Sequence, residues 1–191
     1  MRMLIMGPPG AGKGTQAGSV AAHYHVPTIS SGEIFRDNIK RGTPLGRKVD
    51  ELIAAGDFVP DVLTTSLVFS RLLWPDCDDG WLLDGYPRTA AQVEALDIVL
   101  RERGVAIDAV ICLIADSDEL VKRMLLRAEI EGRKDDNAET IRHRIDVYHE
   151  ETAELIDLYR ERGLLVEVDA MGDVDEVRDR VIEGLERKLG R

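Results

Sequence analysis

A glycine-rich stretch close to the N-terminus, residues 7–15 with the sequence GPPGAGKGT, constrains this chain more than any other feature. An apolar run over residues 3–6 predicts a buried strand before it, and residues 16–24 predict a helix after it. In that setting the backbone N–H groups, the helix N-terminus and the Lys13 ammonium all favour a bound phosphate. An ordinary glycine-rich turn is the alternative, but the flanking strand and helix favour a nucleotide-phosphate site.

The loop departs from the usual phosphate-loop pattern at one position. Gly14 follows Lys13 where serine or threonine is expected, and Thr15 comes one residue later. The hydroxyl at the expected position contacts magnesium, so the sequence leaves open whether Thr15 does so here.

The composition is that of an ordinary globular domain. The chain has 191 residues, 44% of them hydrophobic and 32% charged, and this length can bury a full core in one domain. No apolar run approaches the roughly 20 residues that span a bilayer, and we expect no signal peptide before the first strand. Cys77 and Cys112 lie far apart, which favours a reducing cytoplasm over a disulfide or a zinc cluster.

The charge distribution narrows the class of ligand. A net charge of −11 argues against a nucleic-acid or anionic-membrane partner. Of the 25 basic residues, six are lysine and the other 19 are arginine. The planar guanidinium binds phosphate through paired hydrogen bonds, and several arginines stand in loops or at segment ends. This distribution favours a site for phosphorylated small molecules.

Apolar runs alternate with helical patterns along the chain. Further buried strands are expected at 27–29, 81–83, 109–114 and 164–168, and each connection is long enough for a helix. We therefore predict an α/β fold of the P-loop type, a three-layer sandwich with a five-stranded parallel sheet and helices on both faces, in one domain.

Two attachments interrupt this alternation. Residues 30–59 predict a compact pair of helices, with Thr43 capping the second and Pro44 at its first position. Residues 128–137 predict a short charged loop, and one long helix is expected from there to about residue 162.

Several polar residues follow the third predicted strand, at the edge where open parallel sheets bind ligands. Asp84 is typical of the acidic residue that orients magnesium and its waters, with a helix-capping role as the alternative. Arg88 comes next, and Gln92 lies one turn farther on, where an isolated amide is expected to be solvated. Arg123 and Arg127 lie one turn apart on a later helix, where a solvated basic face is the default expectation.

Four motifs in order, GPPGAGKGT, SSGEIFR, LDGYPRT and GRKDDNAETI, resemble the nucleoside monophosphate kinases, and most closely the adenylate kinases. The resemblance covers essentially the whole chain. It implies reversible transfer of the terminal phosphoryl group of ATP to AMP, giving two ADP, with Mg²⁺. It also implies a core of residues 1–29, 60–126 and 138–191, an AMP-binding segment at 30–59 and a short lid at 127–137.

The same resemblance assigns roles to single residues. The implied catalytic set is Lys13, Arg36, Asp84, Arg88, Arg133 and Arg144. The implied ATP-binding set is Gly10, Ala11, Gly12, Lys13, Gly14, Thr15, Arg123, Arg127 and Gly172. The implied AMP-binding set is Ser31, Arg36, Asp57, Phe58, Val59, Gly85, Tyr86, Pro87, Arg88, Gln92, Arg133 and Arg144. No direct metal ligand is assigned, and Asp84 would reach magnesium through a bound water.

The expected lid is short and holds no cysteine, which matches the short-lid members and removes zinc from the interpretation. Ser31 stands where the family often has threonine, so the hydroxyl is kept. A UMP/CMP kinase of the same family is the first alternative, and a P-loop regulatory switch is the second, although no Asn-Lys-x-Asp guanine reader occurs. We expect a cytoplasmic monomer whose ligands are ATP, AMP and ADP.

Overall fold

Short apolar segments lie side by side as one parallel sheet in the computed structural model, which describes residues 1–131 and 136–190. The strands are β1 (Arg2–Met6), β2 (Thr28–Ser30), β3 (Trp81–Asp84), β4 (Ala109–Ile114) and β5 (Leu165–Asp169). Their order is β2-β3-β1-β4-β5, so the chain builds to one side of β1 and then to the other. Leu4 is accordingly paired with both Leu83 and Val110. Ligands of open parallel sheets bind at such a switch point, beyond the carboxyl ends of the strands.

Helices connect the strands, and several of them begin at a residue whose side chain caps the helix. They are α1 (Lys13–His23), α2 (Ser31–Lys40), α3 (Pro44–Ala55), α4 (Asp61–Leu72), α5 (Ala90–Glu102), α6 (Ser117–Glu131), α7 (Ala138–Val147), α8 (Ala153–Glu161) and α9 (Val174–Leu189). The Thr43 hydroxyl accepts a hydrogen bond from the N–H of Gly46, and the Thr89 hydroxyl accepts one from the N–H of Gln92. Such a cap contributes about 1 kcal/mol to helix stability.

The core has two layers, one on each face of the sheet. Side chains alternate along a strand, so Met3 and Ile5 face one layer while Leu4 and Met6 face the other. The first layer is completed by α1, α6 and α9, and the second by α4, α5 and α8. Each large apolar side chain buried there contributes about 1.5–3 kcal/mol. The expected three-layer α/β sandwich is confirmed.

The expected pair of helices is present as α2 and α3, and it has a small core of its own around Phe35, Val49 and Val59. The two helices approach closely, because a Cβ on Gly46 would stand 2.1 Å from the carbonyl oxygen of Asn38. Because α2 and α3 have a core of their own, they form a separate unit at one edge of the sheet.

Two expectations about the segment after β4 were wrong. The loop expected at 128–137 is helical as far as Glu131, because α6 continues beyond Arg127. The single long helix expected up to residue 162 is divided by a π-helical turn at Tyr148–Thr152. That turn brings the Thr152 hydroxyl to the carbonyl oxygen of Arg88, to which it donates at 3.0 Å.

In the part of the chain that the structure describes, no helix combines the length and apolar character needed to cross a membrane.

Candidate functional site

The glycine loop makes a tight turn between β1 and α1. Gly10 and Gly12 have φ angles of 84° and 85°, a conformation that residues with side chains rarely adopt. A Cβ on Gly10 would lie 2.7 Å from the carbonyl oxygen of Leu120, so the loop has no room for one. The buried Ala11 follows, and Gly14 and Thr15 are exposed on the first turn of α1. The unpaired backbone N–H groups of that turn favour an anion.

Lys13 folds back over this loop. Its Nζ donates hydrogen bonds to the carbonyl oxygens of Gly7 at 2.8 Å and Pro8 at 2.9 Å. Burial lowers the pKa of Lys13 to about 7; the Asp84 carboxylate opposes this, and the positive charges of three arginines add to it. Those arginines are Arg88, Arg144 and Arg127. An anionic ligand here would relieve the cost of charging Lys13, which gives this amine a strong preference for phosphate.

Asp84 ends β3 beside the glycine loop, paired in register with Ile5. Its Oδ2 accepts a hydrogen bond from the Ser30 hydroxyl at 3.1 Å and lies 3.8 Å from the place of a Cβ on Gly14. The helix-capping alternative is wrong, because Thr89 caps the helix that follows. Within residues 1–131 and 136–190, no three His, Cys, Asp or Glu side chains cluster as a metal site.

Two adjoining hollows open at the carboxyl edge of the sheet, with volumes of about 510 and about 570 Å³ when the open solvent at their mouths is included. The first lies beside the glycine loop and Lys13, and the second lies under the helical pair, beside Ser31 and Arg36. Among the described residues, both hollows are lined by Gly56, Phe58, Gly85, Arg88 and Arg144. Two guanidinium groups therefore stand where the hollows meet.

The turn after β3 holds one of these guanidinium groups in place. The carbonyl oxygen of Gly85 accepts hydrogen bonds from the Ser31 hydroxyl at 2.8 Å and from Nε of Arg88 at 3.0 Å. The Arg88 guanidinium also lies over the Phe58 ring, 5.2 Å from its centroid. Tyr86 is buried, and Pro87 lines the first hollow after a cis peptide bond.

Gln92 is buried, with 2% of its surface exposed, so the expectation of a solvated amide was wrong. Its Oε1 accepts from the backbone N–H of Arg88 at 2.8 Å, and its Nε2 donates to Oδ1 of Asp61 at 2.6 Å. The amide nevertheless lines the second hollow. Sequence spacing placed it near Arg88, but the carboxylate comes from α4 and could not be found that way.

Other residues of the expected AMP-binding set surround the same hollow. Arg36 lies over the first turn of α2, with Nη1 3.0 Å from the place of a Cβ on Gly32. The Asp57 carboxylate lies 2.6 Å from Nε2 of His143 on α7. The buried Val59 accepts a hydrogen bond from Thr64 at its carbonyl oxygen.

An acidic residue that sequence reasoning missed joins two of the expected arginines. The side chain of Asp136 is fully buried and accepts from Arg127 at 2.7 and 2.9 Å and from Arg144 at 2.5 Å. The only sequence signal was an acidic pair inside the basic lid motif. Arg133, which belongs to both the catalytic and AMP-binding sets, lies outside the described residues. The expectation that Arg123 and Arg127 lie on a solvated basic face was also wrong, since Arg127 is ion-paired with Asp136.

Arg123 and Gly172 lie together outside the two hollows. Arg123 donates to Glu119 at 2.9 Å and to the carbonyl oxygen of Ala170 at 3.0 Å, and so contacts the loop between β5 and α9. Gly172 lies in this loop with a φ of 106°. Arg123 therefore contacts the loop that contains Gly172, two residues before that glycine.

The comparisons with known proteins agree with this geometry. The sequence profile of the adenylate kinase family matches residues 5–164. An adenylate kinase from Clavibacter michiganensis is 57% identical over 180 residues, covering 94% of this chain and 90% of its own. One from a Nocardioides species is 53% identical over 186 residues, covering 97% of each chain, and one from Bifidobacterium longum is 51% identical over 186 residues, covering 97% and 100%. The chain belongs to the adenylate kinase family.

Proposed function

We propose that this protein transfers the terminal phosphoryl group of ATP reversibly to AMP, giving two ADP. One observation carries the proposal: the hollow at the glycine loop adjoins a second hollow, and Arg88 and Arg144 line both. An ATPase or a nucleotide switch needs only one such hollow. Membership of the adenylate kinase family supports the same reaction.

On the donor side, the backbone of residues 10–15 and the Lys13 ammonium bind the ATP phosphates. The tight turn and the start of α1 support this role, because both place backbone N–H donors at one point. Arg123 and Arg127 contact the ATP base and phosphates, and Gly172 offers its carbonyl oxygen to the base. The contact of Arg123 with Ala170 supports their nearness.

On the acceptor side, Arg36 and Arg88 bind the AMP phosphate. The base occupies the second hollow, contacted by backbone of residues 57–59 and 85–88, by the Ser31 hydroxyl and by the Gln92 amide. Supporting this, Ser31, Asp57, Val59 and Gln92 line that hollow with both arginines. Phe58 and Gly85 also line this hollow, and we propose that the backbone of Tyr86 and Pro87 contributes beside them.

The chemistry needs positioning and charge neutralisation rather than a covalent intermediate. Two polyanions must be brought in line while negative charge spreads over the transferring oxygens. Arg88 and Arg144 stand between the hollows, and Arg133 is proposed to join them when the site closes. Each such contact is worth about 10²–10³ in turnover. Excluding water during transfer prevents hydrolysis of ATP.

The residues near the glycine loop fit a magnesium ion bound with ATP. The Asp84 carboxylate lies beside the loop, oriented by Ser30, and Thr15 is exposed at the start of α1. Asp84 would hold the ion through a bound water, and the ion would neutralise phosphate charge. No zinc is proposed.

We further propose that closure involves two moving units, the AMP-binding segment at 30–59 and the short lid at 127–137, on a core of 1–29, 60–126 and 138–191. The separate small core of the helical pair supports movement as a body. We also propose that the protein is a cytoplasmic monomer that binds ATP, AMP and ADP. The buried Cys77 and Cys112 form no disulfide, which suits a reducing compartment.

A panel of acceptors tests this function. ADP formation from ATP with AMP, CMP or UMP is expected to be fastest by far with AMP. Comparable rates with CMP or UMP would instead support a pyrimidine kinase, and no ADP above ATP hydrolysis would support a switch. Two adenosines joined by five phosphates are expected to bind far more tightly than ATP, and equal affinity would argue against two facing hollows.

A further inference from the structure

The Gln92 amide is held in a single orientation by two partners of opposite kind. Its Oε1 accepts from the N–H of Arg88, which can only donate, and its Nε2 donates to the Asp61 carboxylate, which can only accept. Exchanging the oxygen and nitrogen of the amide would place donor against donor and acceptor against acceptor. The 2.6 and 2.8 Å contacts would both be lost, at a residue that is almost completely buried.

The groups around Gln92 are themselves fixed. The other oxygen of Asp61 accepts from the Thr89 hydroxyl at 2.8 Å, which ties the start of α4 to the start of α5. The Tyr86 hydroxyl donates to the carbonyl oxygen of Gln92 at 3.1 Å, and the Arg88 carbonyl accepts from Thr152. These contacts hold the Asp61 carboxylate and the backbone of Arg88 in place, so neither can rearrange to pair with a reversed Gln92 amide.

Gln92 lines the second hollow, and its amide keeps hydrogen-bonding capacity there. A glutamine amide has two N–H donors and two acceptor lone pairs. After the hydrogen bonds with Arg88 and Asp61 are made, one N–H donor and one lone pair remain. Adenine presents an acceptor at N1 and an N–H donor at the 6-amino group, and an amide of fixed polarity can bind both. Hypoxanthine presents the opposite pair, an N1–H donor and an oxygen at C6.

We propose that Asp61 is a positioning residue that sets base specificity, because it holds the Gln92 amide in the orientation that accepts adenine and rejects hypoxanthine. This inference rests on the proposed binding of the acceptor base beside Gln92. Asp61 itself touches no substrate in this scheme and acts only through the amide of Gln92.

The decisive variant is Asp61→Asn, which keeps the shape but replaces one acceptor oxygen with a donor. An asparagine can then point either end at Gln92, so only the Arg88 N–H still opposes reversal of the glutamine amide. The KM for AMP is expected to rise about tenfold, and the AMP-to-IMP ratio of kcat/KM to fall about tenfold, as for one lost hydrogen bond to a charged group. The KM for ATP and kcat should change by less than about twofold, because the donor hollow is untouched.

Control variants separate this role from a structural one. Asp118→Asn removes a carboxylate from the first turn of another helix, at an exposed position, and is expected to leave the base preference unchanged. Gln92→Leu should raise the KM for AMP, and adding Asp61→Asn to it should have no further effect on the base preference. Additive effects in this double variant would overturn the inference.

The outcomes distinguish the inference from the function beneath it. If Gln92→Leu leaves the KM for AMP unchanged, both the base assignment and the inference fail. If Gln92→Leu raises it but folded Asp61→Asn keeps the wild-type AMP-to-IMP ratio, only the inference fails. Should Asp61→Asn not fold, NMR of the wild type decides, since Gln16 and Gln92 are the only glutamines. One Gln92 amide proton protected from exchange is expected, and two rapidly exchanging protons would overturn the inference.

Discussion

The proposed donor and acceptor sides of the site are built in different ways. The donor side is mostly one continuous piece of main chain, the loop from Gly7 to Thr15, whose shape depends on glycine conformations and on the start of α1. The proposed acceptor side is assembled from separate elements, with the Ser31 hydroxyl on α2, the Gln92 amide on α5 and the backbone of residues 57–59 before α4. One continuous loop suits phosphate, which all nucleotides share, whereas groups from several elements suit a base, which distinguishes the nucleotides.

The largest effect is expected on the donor side, from Lys13→Met. Turnover should fall about 10²–10³-fold, since a cation directed at the phosphates is lost while the loop backbone remains. Steady-state ADP formation measures it, with circular dichroism to verify the fold. Lys122→Met, at an exposed lysine on α6, is the matched control and should behave as wild type. Near-normal turnover in Lys13→Met would show that the backbone alone provides the donor site.

Asp136→Ala tests how far the proposed donor and acceptor sides depend on Arg127 and Arg144, which this carboxylate joins. It removes a fully buried carboxylate that contacts both Arg127 and Arg144. The free energy of unfolding should fall by about 3 kcal/mol, measured by urea denaturation. A change below about 0.5 kcal/mol would mean that the two guanidinium groups are held independently of this carboxylate.

The lowered pKa of Lys13 predicts that ligand affinity at the proposed donor side depends on pH. It is lowered from 10.5 to about 7 in the free protein, so at pH 8 this amine is mostly neutral. A polyanion raises the pKa again, so binding takes up a proton and affinity falls by up to about tenfold per pH unit above 7.

Calorimetric titration of the bisubstrate mimic in two buffers of different ionisation enthalpy measures this uptake. Close to one proton is expected at pH 8, and much less in Lys13→Met. Equal uptake in the two proteins would assign the proton to another group.

The smallest effect is expected from Asp57→Asn, which breaks the contact between the helical-pair segment and His143 on α7. Both side chains are nearly half exposed, at 46% and 45% of their surface, so the pair contributes about 0–1 kcal/mol. Urea denaturation at low and high salt should show a small difference between variant and wild type that salt reduces further. A loss as large as that in Asp136→Ala would place this exposed contact among the main supports of the acceptor side.

Features that depend on neighbouring residues in the chain could be predicted. The strands, the helix cap at Thr43 and the glycine turn between β1 and α1 were all read correctly, because periodicity and capping act over a few residues. Gln92 and Arg127 were misread as solvated, because their partners, Asp61 and Asp136, lie 31 and 9 residues away. The residue roles in catalysis and binding stay predictions.

The sequence by itself determined a phosphate loop, an α/β alternation and the arginines that a phosphorylated ligand requires, since each is written in residue type and short-range spacing. Only the tertiary structure decided the strand order β2-β3-β1-β4-β5, the meeting of two hollows at Arg88 and Arg144, and the polarity of the Gln92 amide. The physical reason is that a hydrogen bond or an ion pair depends on distance in space, and the packing of helices on a twisted sheet sets that distance.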